Sequence, residues 1–223
     1  TMDTAKEVGG DFYDFYFVNK DTLAFLIADV SGKGIPAAMF MMNAKAVLKS
    51  YAESGLDVNK VFTLGNEKLC EGNDAGMFVT AWMGFLNTET GEVTFANAGH
   101  NPPLVRHADG SFEYLKVRAG FVLAGMEGVK YRKNELQLAP GDVIYLYTDG
   151  VTEATNINDE LYGEDRLLAL LNANKEASME ELCKLVKEDV FAFAGEAPQF
   201  DDITMLALKY CGATAPTNQE EAL

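Results

Sequence analysis

The chain has 223 residues, with 18 Lys and Arg against 34 Asp and Glu, so its formal charge is −16. Hydrophobic residues make up 48% and charged residues 23%, as in an ordinary globular domain. The negative charge argues against nucleic acid and anionic lipid as partners, because both are polyanions. No run of 18 apolar residues occurs, so we expect no membrane contact by this segment.

The two ends of the chain and its cysteines set further expectations. A motif begins almost at the N-terminus without a signal peptide, so we expect a piece of a longer sensor protein whose domain spans residues 1–210. Residues 211–223 are small and polar and predict a disordered tail.

Cys70, Cys183 and Cys211 lack paired spacing, which argues against disulfides and a zinc site. A cytoplasmic domain is expected, even if the parent protein is membrane-anchored.

The first part of the chain is typical of two strands followed by two helices. Aromatic and aliphatic runs at 12–19 and 22–28 flank a short turn and predict an antiparallel pair. Residues 36–53 open with Pro36, which suits a first helical turn, and continue with good helix formers. A second helix is predicted at 58–71, where apolar residues fall roughly on one face.

The rest of the chain returns to strands, then to two helices and a final strand. Short β-rich runs predict strands at 78–86, 92–97, 103–107, 111–117, 129–138 and 142–148. Asp109-Gly110 marks one hairpin turn. Helices are predicted at 164–173 and 178–194 and the last strand at 202–209. This order predicts an α+β fold, in which two antiparallel β-sheets pack as a sandwich flanked by helices on both sides.

At four strand ends or turns, an aspartate lies within three residues of glycine or of another aspartate. These aspartates are Asp11, Asp29, Asp149 and the pair Asp201-Asp202. Carboxylates at the mouths of buried strands are costly unless a cation compensates them, because they repel one another and lose hydration. Mg²⁺ and Mn²⁺ prefer oxygen ligands and suit this role. Each position alone is also an ordinary turn, but the four together favour a metal site.

Other motifs support other chemistries less well. The segment SGKG at 31–34 lacks the full GxxxxGK[ST] pattern of a nucleotide-binding loop. His100 lies in a Pro-rich turn, where it is either an acid–base group or a structural hydrogen-bonding residue. The absence of GxSxG leaves covalent catalysis by serine without support.

Six segments together carry a family resemblance. They are EVGGDFYD at 7–14, ADVSGKGIPAAM at 28–39, FVTAW at 78–82, NAGHNPPL at 97–104, LAPGDVIYLYTDGVTEA at 138–154 and FDDITMLAL at 200–208. Over about residues 5–210 the chain resembles the SpoIIE/RsbU-type branch of the PPM metal-dependent serine/threonine protein phosphatases of bacteria. This resemblance implies a β-sandwich flanked by helices, with two divalent cations, Mn²⁺ or Mg²⁺, at one end.

The resemblance also implies a set of site residues. Asp29 would bridge both ions, and the backbone carbonyl of Val30 would bind one of them. Asp149 and Asp201 would hold the other ion. Asp11 would act directly or through water, so that the four aspartates form the catalytic set.

Further roles implied by the resemblance concern substrate and partners. Asp202 is a possible additional metal ligand, and Lys33 and His100 are candidate substrate-binding residues. The expected reaction is hydrolysis of phosphoserine or phosphothreonine on a protein by a metal-activated water. The expected substrate is a STAS-type anti-sigma-factor antagonist in a partner-switching pathway, with an upstream sensor or regulatory domain and a homodimer as further partners. The alternatives are a catalytically inactive module that docks a regulatory partner and, more distantly, another two-metal hydrolase.

Overall fold

The computed structural model describes residues 1–108 and 110–213, and these contain two antiparallel sheets of five strands each. The first sheet consists, in spatial order, of β2 (Phe12–Asn19), β3 (Thr22–Val30), β4 (Val79–Asn87), β5 (Glu92–Ala98) and β8 (Asn134–Gln137). The second consists of β1 (Met2–Asp3), β10 (Ile203–Lys209), β9 (Val143–Tyr147), β6 (Leu104–Arg106) and β7 (Phe112–Tyr114). The helices are α1 (Ile35–Glu53), α2 (Val58–Cys70), α3 (Asp149–Thr152), α4 (Glu164–Ala173) and α5 (Met179–Ala194).

The two sheets pack face to face because their strands are apolar on both sides. In β3, Phe25 and Ile27 face the second sheet, whereas Leu26 and Ala28 face α1 and α2. This alternation is the two-residue period of a strand whose two faces are both covered. Trp82 of β4 lies in the same central layer and packs against neighbouring aromatic rings. The predicted α+β sandwich is confirmed.

Each sheet is covered on its outer face by a helix pair. The pair α1 and α2 packs on the first sheet, and α4 and α5 bury leucine and valine side chains against β9 and β10. Pro36 occupies the first turn of α1, as predicted, and Ser178 caps α5 by accepting a hydrogen bond from the Glu181 N–H at 3.2 Å. Each fully buried leucine contributes roughly 1.5–3 kcal/mol. The helices therefore hold the outer faces of the sandwich.

Two predicted strands are wrong over about half of their length. Of residues 111–117, only 112–114 form a strand. Of residues 129–138, only 134–137 pair with β5. The preceding part turns away because Tyr131 is buried against α2, where its ring meets Phe62 edge-on at 5.6 Å. The two-residue strand β1 and the single-turn helix α3 were not predicted from the sequence.

Parts of two other predictions lie outside the described residues. These parts are Asp109 in the predicted hairpin turn and residues 214–223 in the predicted tail. Residues 211–213 form neither helix nor strand. In the portion of the chain that the structure describes, no helix has the length and apolar character needed to span a bilayer.

Candidate active site

The predicted aspartates meet at one end of the sandwich, where strands of both sheets begin or end. Asp29 is the penultimate residue of β3 in the first sheet, whereas Asp149 follows β9 and Asp201 precedes β10 in the second. Burial and the neighbouring carboxylate of Asp149 raise the pKa of Asp29 from 3.8 to about 7, with smaller contributions from Asp201 and Asp202. Carboxylates that are far apart in the chain are therefore close enough in the fold to repel one another electrostatically.

Asp11 is the most deeply buried member of this cluster, with 1% of its surface exposed. The Thr148 hydroxyl donates a hydrogen bond of 2.7 Å to its carboxylate. Burial and the carboxylate of Asp29 raise the pKa of Asp11 well above its usual range. The role of Thr148 was not predicted from the sequence, although a polar residue at the end of the apolar run before Asp149 could have indicated it.

Asp202 holds the N-terminal segment that carries Asp11. One of its oxygens accepts the Ala5 N–H at 2.8 Å, and the other accepts the N–H groups of Gly10 at 2.8 Å and Asp11 at 3.3 Å. A Cβ at Gly9 would lie 2.3 Å from the same carboxylate, so only glycine permits this approach. These contacts favour a positioning role for Asp202 over direct metal ligation.

Asp149 is brought to the cluster by a close approach of two backbones. A Cβ at Gly150 would lie 2.0 Å from the carbonyl oxygen of Asp202, so glycine allows α3 to pack against the start of β10. Burial, followed by the charges of Glu153 and Asp201, raises the pKa of Asp149. An apolar cavity of about 50 Å³ opens beside Asp201, between α3 and the C-terminal end of α5.

Lys33 is the cation that faces this acidic cluster in the described part of the chain. Its ammonium lies 3.0 Å from the Asp201 carboxylate and 3.6 Å from the centre of the Phe200 ring, and it also donates to the Phe200 carbonyl oxygen. The loop after β3 is thereby tied to the segment before β10. The residue predicted to bind the substrate thus contacts a predicted metal ligand.

His100 is buried beside the cluster, and its contacts favour the structural interpretation. Its Nδ1 lies 2.9 Å from the Thr80 hydroxyl, and Thr80 pairs with Asp29 across β3 and β4. Asn97 exchanges two hydrogen bonds with the backbone of His100. Burial lowers the pKa of His100 to about 4, so the ring is neutral near pH 7 and does not attract phosphate by charge.

The donor set suits a hard divalent ion. It consists of carboxylate oxygens and the backbone carbonyl oxygen of Val30. This carbonyl oxygen lies close to Gly10, since a Cβ atom added to Gly10 would be 3.0 Å from it. Within residues 1–108 and 110–213, no three or more His, Cys, Asp or Glu side chains are already arranged to enclose an ion. The site therefore suits a divalent ion because its donors are oxygen atoms and because its carboxylates are clustered, with the Lys33 ammonium beside them.

Comparison with known proteins agrees with this architecture. Residues 19–210 match the family of stage II sporulation protein E (SpoIIE). Protein IcfG of Synechocystis is 32% identical over 93% of this chain, and phosphoserine phosphatase RsbU of Bacillus subtilis is 32% identical over 92%. The chain spans 37% of the length of IcfG and 60% of RsbU, so it corresponds to a part of each.

Two solved structures share the fold over 94% of this chain, both with a TM-score of 0.82. The RsbU and RsbW domains of a Mycobacterium tuberculosis protein are 26% identical, with 57% of that chain covered. The SiaA-PP2C domain of Pseudomonas aeruginosa is 24% identical, with 83% covered. The chain therefore belongs to the SpoIIE family, and its sandwich is the fold of a PP2C-type phosphatase domain.

Proposed function

We propose that this domain hydrolyses phosphoserine or phosphothreonine on a protein, using divalent cations held by its clustered aspartates. The observation that carries this proposal is the convergence of Asp11, Asp29, Asp149 and Asp201 from both sheets, with Lys33 as the cation beside them. Its similarity to the phosphoserine phosphatases RsbU and RsbP of Bacillus subtilis supports the same chemistry.

In this proposal, Asp29 and the Val30 carbonyl bind ions together with Asp149 and Asp201, and Mn²⁺ and Mg²⁺ are the candidates. RsbX, which shares the fold with a TM-score of 0.65, was crystallised in complex with magnesium. Bound divalent ions supply a nucleophilic water at neutral pH and neutralise charge on the phosphoryl oxygens. No covalent phosphoenzyme is required.

The protein side chains around this centre have supporting roles. The Thr148 hydroxyl orients the carboxylate of Asp11, and Asp202 fixes the backbone on which Asp11 is carried. Lys33 becomes available to a phosphate oxygen when it leaves Asp201. His100, neutral and buried, positions Thr80 beside Asp29. Each role concerns orientation and charge, which dominate phosphoryl transfer.

The substrate we propose is a phosphorylated STAS-type anti-sigma-factor antagonist, with an upstream sensor or regulatory domain controlling activity and a homodimer as the assembled form. The names of the relatives RsbU and RsbP support a phosphoserine substrate. The structural similarity to a stressosome protein, with a TM-score of 0.67 at 20% identity, supports the fold alone.

The test uses p-nitrophenyl phosphate and a phosphoserine peptide in the presence of Mn²⁺ or Mg²⁺. We expect turnover by the wild-type domain, its loss in EDTA, and a drop of about a hundredfold or more in Asp29→Asn, since even residues that only support metal ligands cost 10–100-fold. Asp74→Asn, at an exposed position, is the matched control. An inactive wild-type domain that still bound a phosphoprotein would favour a docking module, and faster cleavage of a phosphodiester would favour the other two-metal hydrolases.

A further inference from the structure

A groove with positive charge lies on this strongly acidic domain, outside the aspartate cluster. Segment 116–133, which we name the basic segment, carries five of the 18 basic residues and one of the 34 acidic ones. Its net charge is therefore +4, whereas the remainder of the chain carries −20. Such local reversal of charge marks a site for an anionic group.

The cations of this segment converge on one cavity of about 230 Å³. Arg118, Lys130 and Arg132 line it together with Phe121, and Asn97 and Asn134 form its polar floor. In the part of the chain that the structure describes, none of the three cations has an Asp or Glu oxygen within 4.0 Å. Their charge is therefore available to a ligand.

The groove is built on a firmly anchored backbone, although the segment contains neither helix nor strand. Asn66 of α2, which is fully buried, accepts the Ala124 N–H at 2.9 Å and donates to the Met126 carbonyl at 2.9 Å. The Gly120 N–H donates to the Asn97 carbonyl at 2.8 Å, and Leu123 exchanges two backbone hydrogen bonds with β4. The cations are thus presented on a fixed surface.

The groove lies on the same sheet as Asp29 and near the same end. Asp29 is on β3, and the groove residues Asn97 and Asn134 belong to β5 and β8, two and three strands away. Neighbouring strands are about 4.8 Å apart and residues along a strand about 3.3 Å apart. Asn97 and Asn134 are displaced along their strands from the level of Asp29 by two and four residues, so they lie about 12–19 Å from it. An extended peptide covers that distance in about four to six residues.

We propose that this groove binds an acidic segment of the phosphoprotein substrate, about four to six residues away from the phosphorylated side chain. This inference rests on the proposed function. A short acidic segment meets the three cations locally, whereas a membrane or nucleic acid would also meet the surrounding charge of −20 and be repelled. The exposed ring of Phe121 adds an apolar contact for a peptide.

Peptide binding and turnover are measured in separate assays, so the groove proposal and the proposed phosphatase function can be refuted independently. The probes are fluorescent dodecapeptides containing one phosphoserine, with an acidic block four residues away or with Asn and Gln in that block. Their affinities are measured by anisotropy in EDTA, where no turnover interferes. We expect the acidic peptide to bind at least about tenfold more tightly, with an affinity that falls as salt rises.

The variant Arg118→Glu, Lys130→Glu, Arg132→Glu should weaken binding of the acidic peptide by about tenfold or more and leave p-nitrophenyl phosphate turnover unchanged. The matched control reverses the same charge at exposed lysines elsewhere, Lys20, Lys60 and Lys184, and should bind as the wild type does. Arg118→Gln alone provides a milder second variant.

Three outcomes would overturn the groove assignment. They are equal affinity for the acidic and neutral peptides, equal weakening by the groove and control variants, and binding of phosphatidylserine vesicles as tight as binding of the acidic peptide. Failure of the wild-type domain to hydrolyse p-nitrophenyl phosphate in Mn²⁺ would instead count against the proposed function, whatever the binding data show.

Discussion

Removing the charge of Asp29 should stabilise the metal-free domain at alkaline pH. Burial and Asp149 raise the pKa of this carboxyl from 3.8 to about 7. Since the folded state binds the proton more tightly than the unfolded chain does, the contribution of this group to stability is complete below pH 4 and is lost as pH rises through 7. A shift of about three pKa units corresponds to up to about 4 kcal/mol at pH 8.

The perturbation is Asp29→Asn, which keeps the size of the side chain and stays neutral at all pH values. Removing this charge also removes one of the causes that raise the pKa of Asp11, which acts in the same direction. In EDTA at pH 8 we expect the variant to exceed the wild type in free energy of unfolding by up to about 4 kcal/mol, with the gap closing towards pH 4. Urea denaturation at several pH values measures it.

Adding Mn²⁺ should narrow this gap and then reverse it as the Mn²⁺ concentration rises, because the variant lacks a proposed ligand that the wild type provides. An ion that binds only the folded state stabilises it by about 2.7 kcal/mol at 100 times its dissociation constant and by about 4.1 kcal/mol at 1,000 times, so a gap of about 4 kcal/mol should reverse only above about 1,000 times that constant. Exposed Asp74→Asn should show neither effect. The reasoning is refuted if Asp29→Asn is less stable than the wild type in EDTA at pH 8, or if the difference does not change with pH.

Three further substitutions test the contacts of individual side chains and of one glycine. Asp202→Ala removes the acceptor of three backbone N–H groups and should cost about 3 kcal/mol or more in urea denaturation. Gly150→Ala places a Cβ against the Asp202 carbonyl and should cost about 2 kcal/mol or more and weaken Mn²⁺ binding in calorimetry. Asp142 has a lowered pKa, because backbone N–H groups and His107 more than offset its burial, so Asp142→Asn should destabilise near pH 7 and lose this effect as pH falls below 4.

Local patterns were sufficient to predict most of the fold. Runs such as LAFLIA at 23–28 and VIYLY at 143–147 are apolar at every position because both of their faces are covered, and Pro36 marks the start of α1. The error at 129–133 has a long-range cause, since the ring of Tyr131 packs on a helix about 65 residues earlier in the chain. The pairing of Met2 with Thr204 is likewise absent from any local pattern.

The convergence of the strand-end aspartates could be predicted from residue type, whereas the contacts of each side chain could not. Strand-end aspartates are visible in the sequence because Asp and Gly interrupt apolar runs there. What Asp202 and Lys33 touch depends on backbones that meet only in the fold, such as the N–H groups of residues 5–11. The neutrality of His100 also follows from burial, which a sequence window does not report.

The energetic cost of the aspartate cluster bears on the choice between an enzyme and a docking module. Asp11 is buried and Asp29 is partly buried; after burial itself, the charge of Asp29 raises the pKa of Asp11, and the charge of Asp149 raises the pKa of Asp29. A domain that only docks a partner would be more stable with a neutral residue at position 29. The proposed ligands come from both sheets, so bound ions would remove this repulsion and also join the two layers. Stability and catalysis would then depend on the same ions, which is the arrangement expected of a metal-dependent phosphatase.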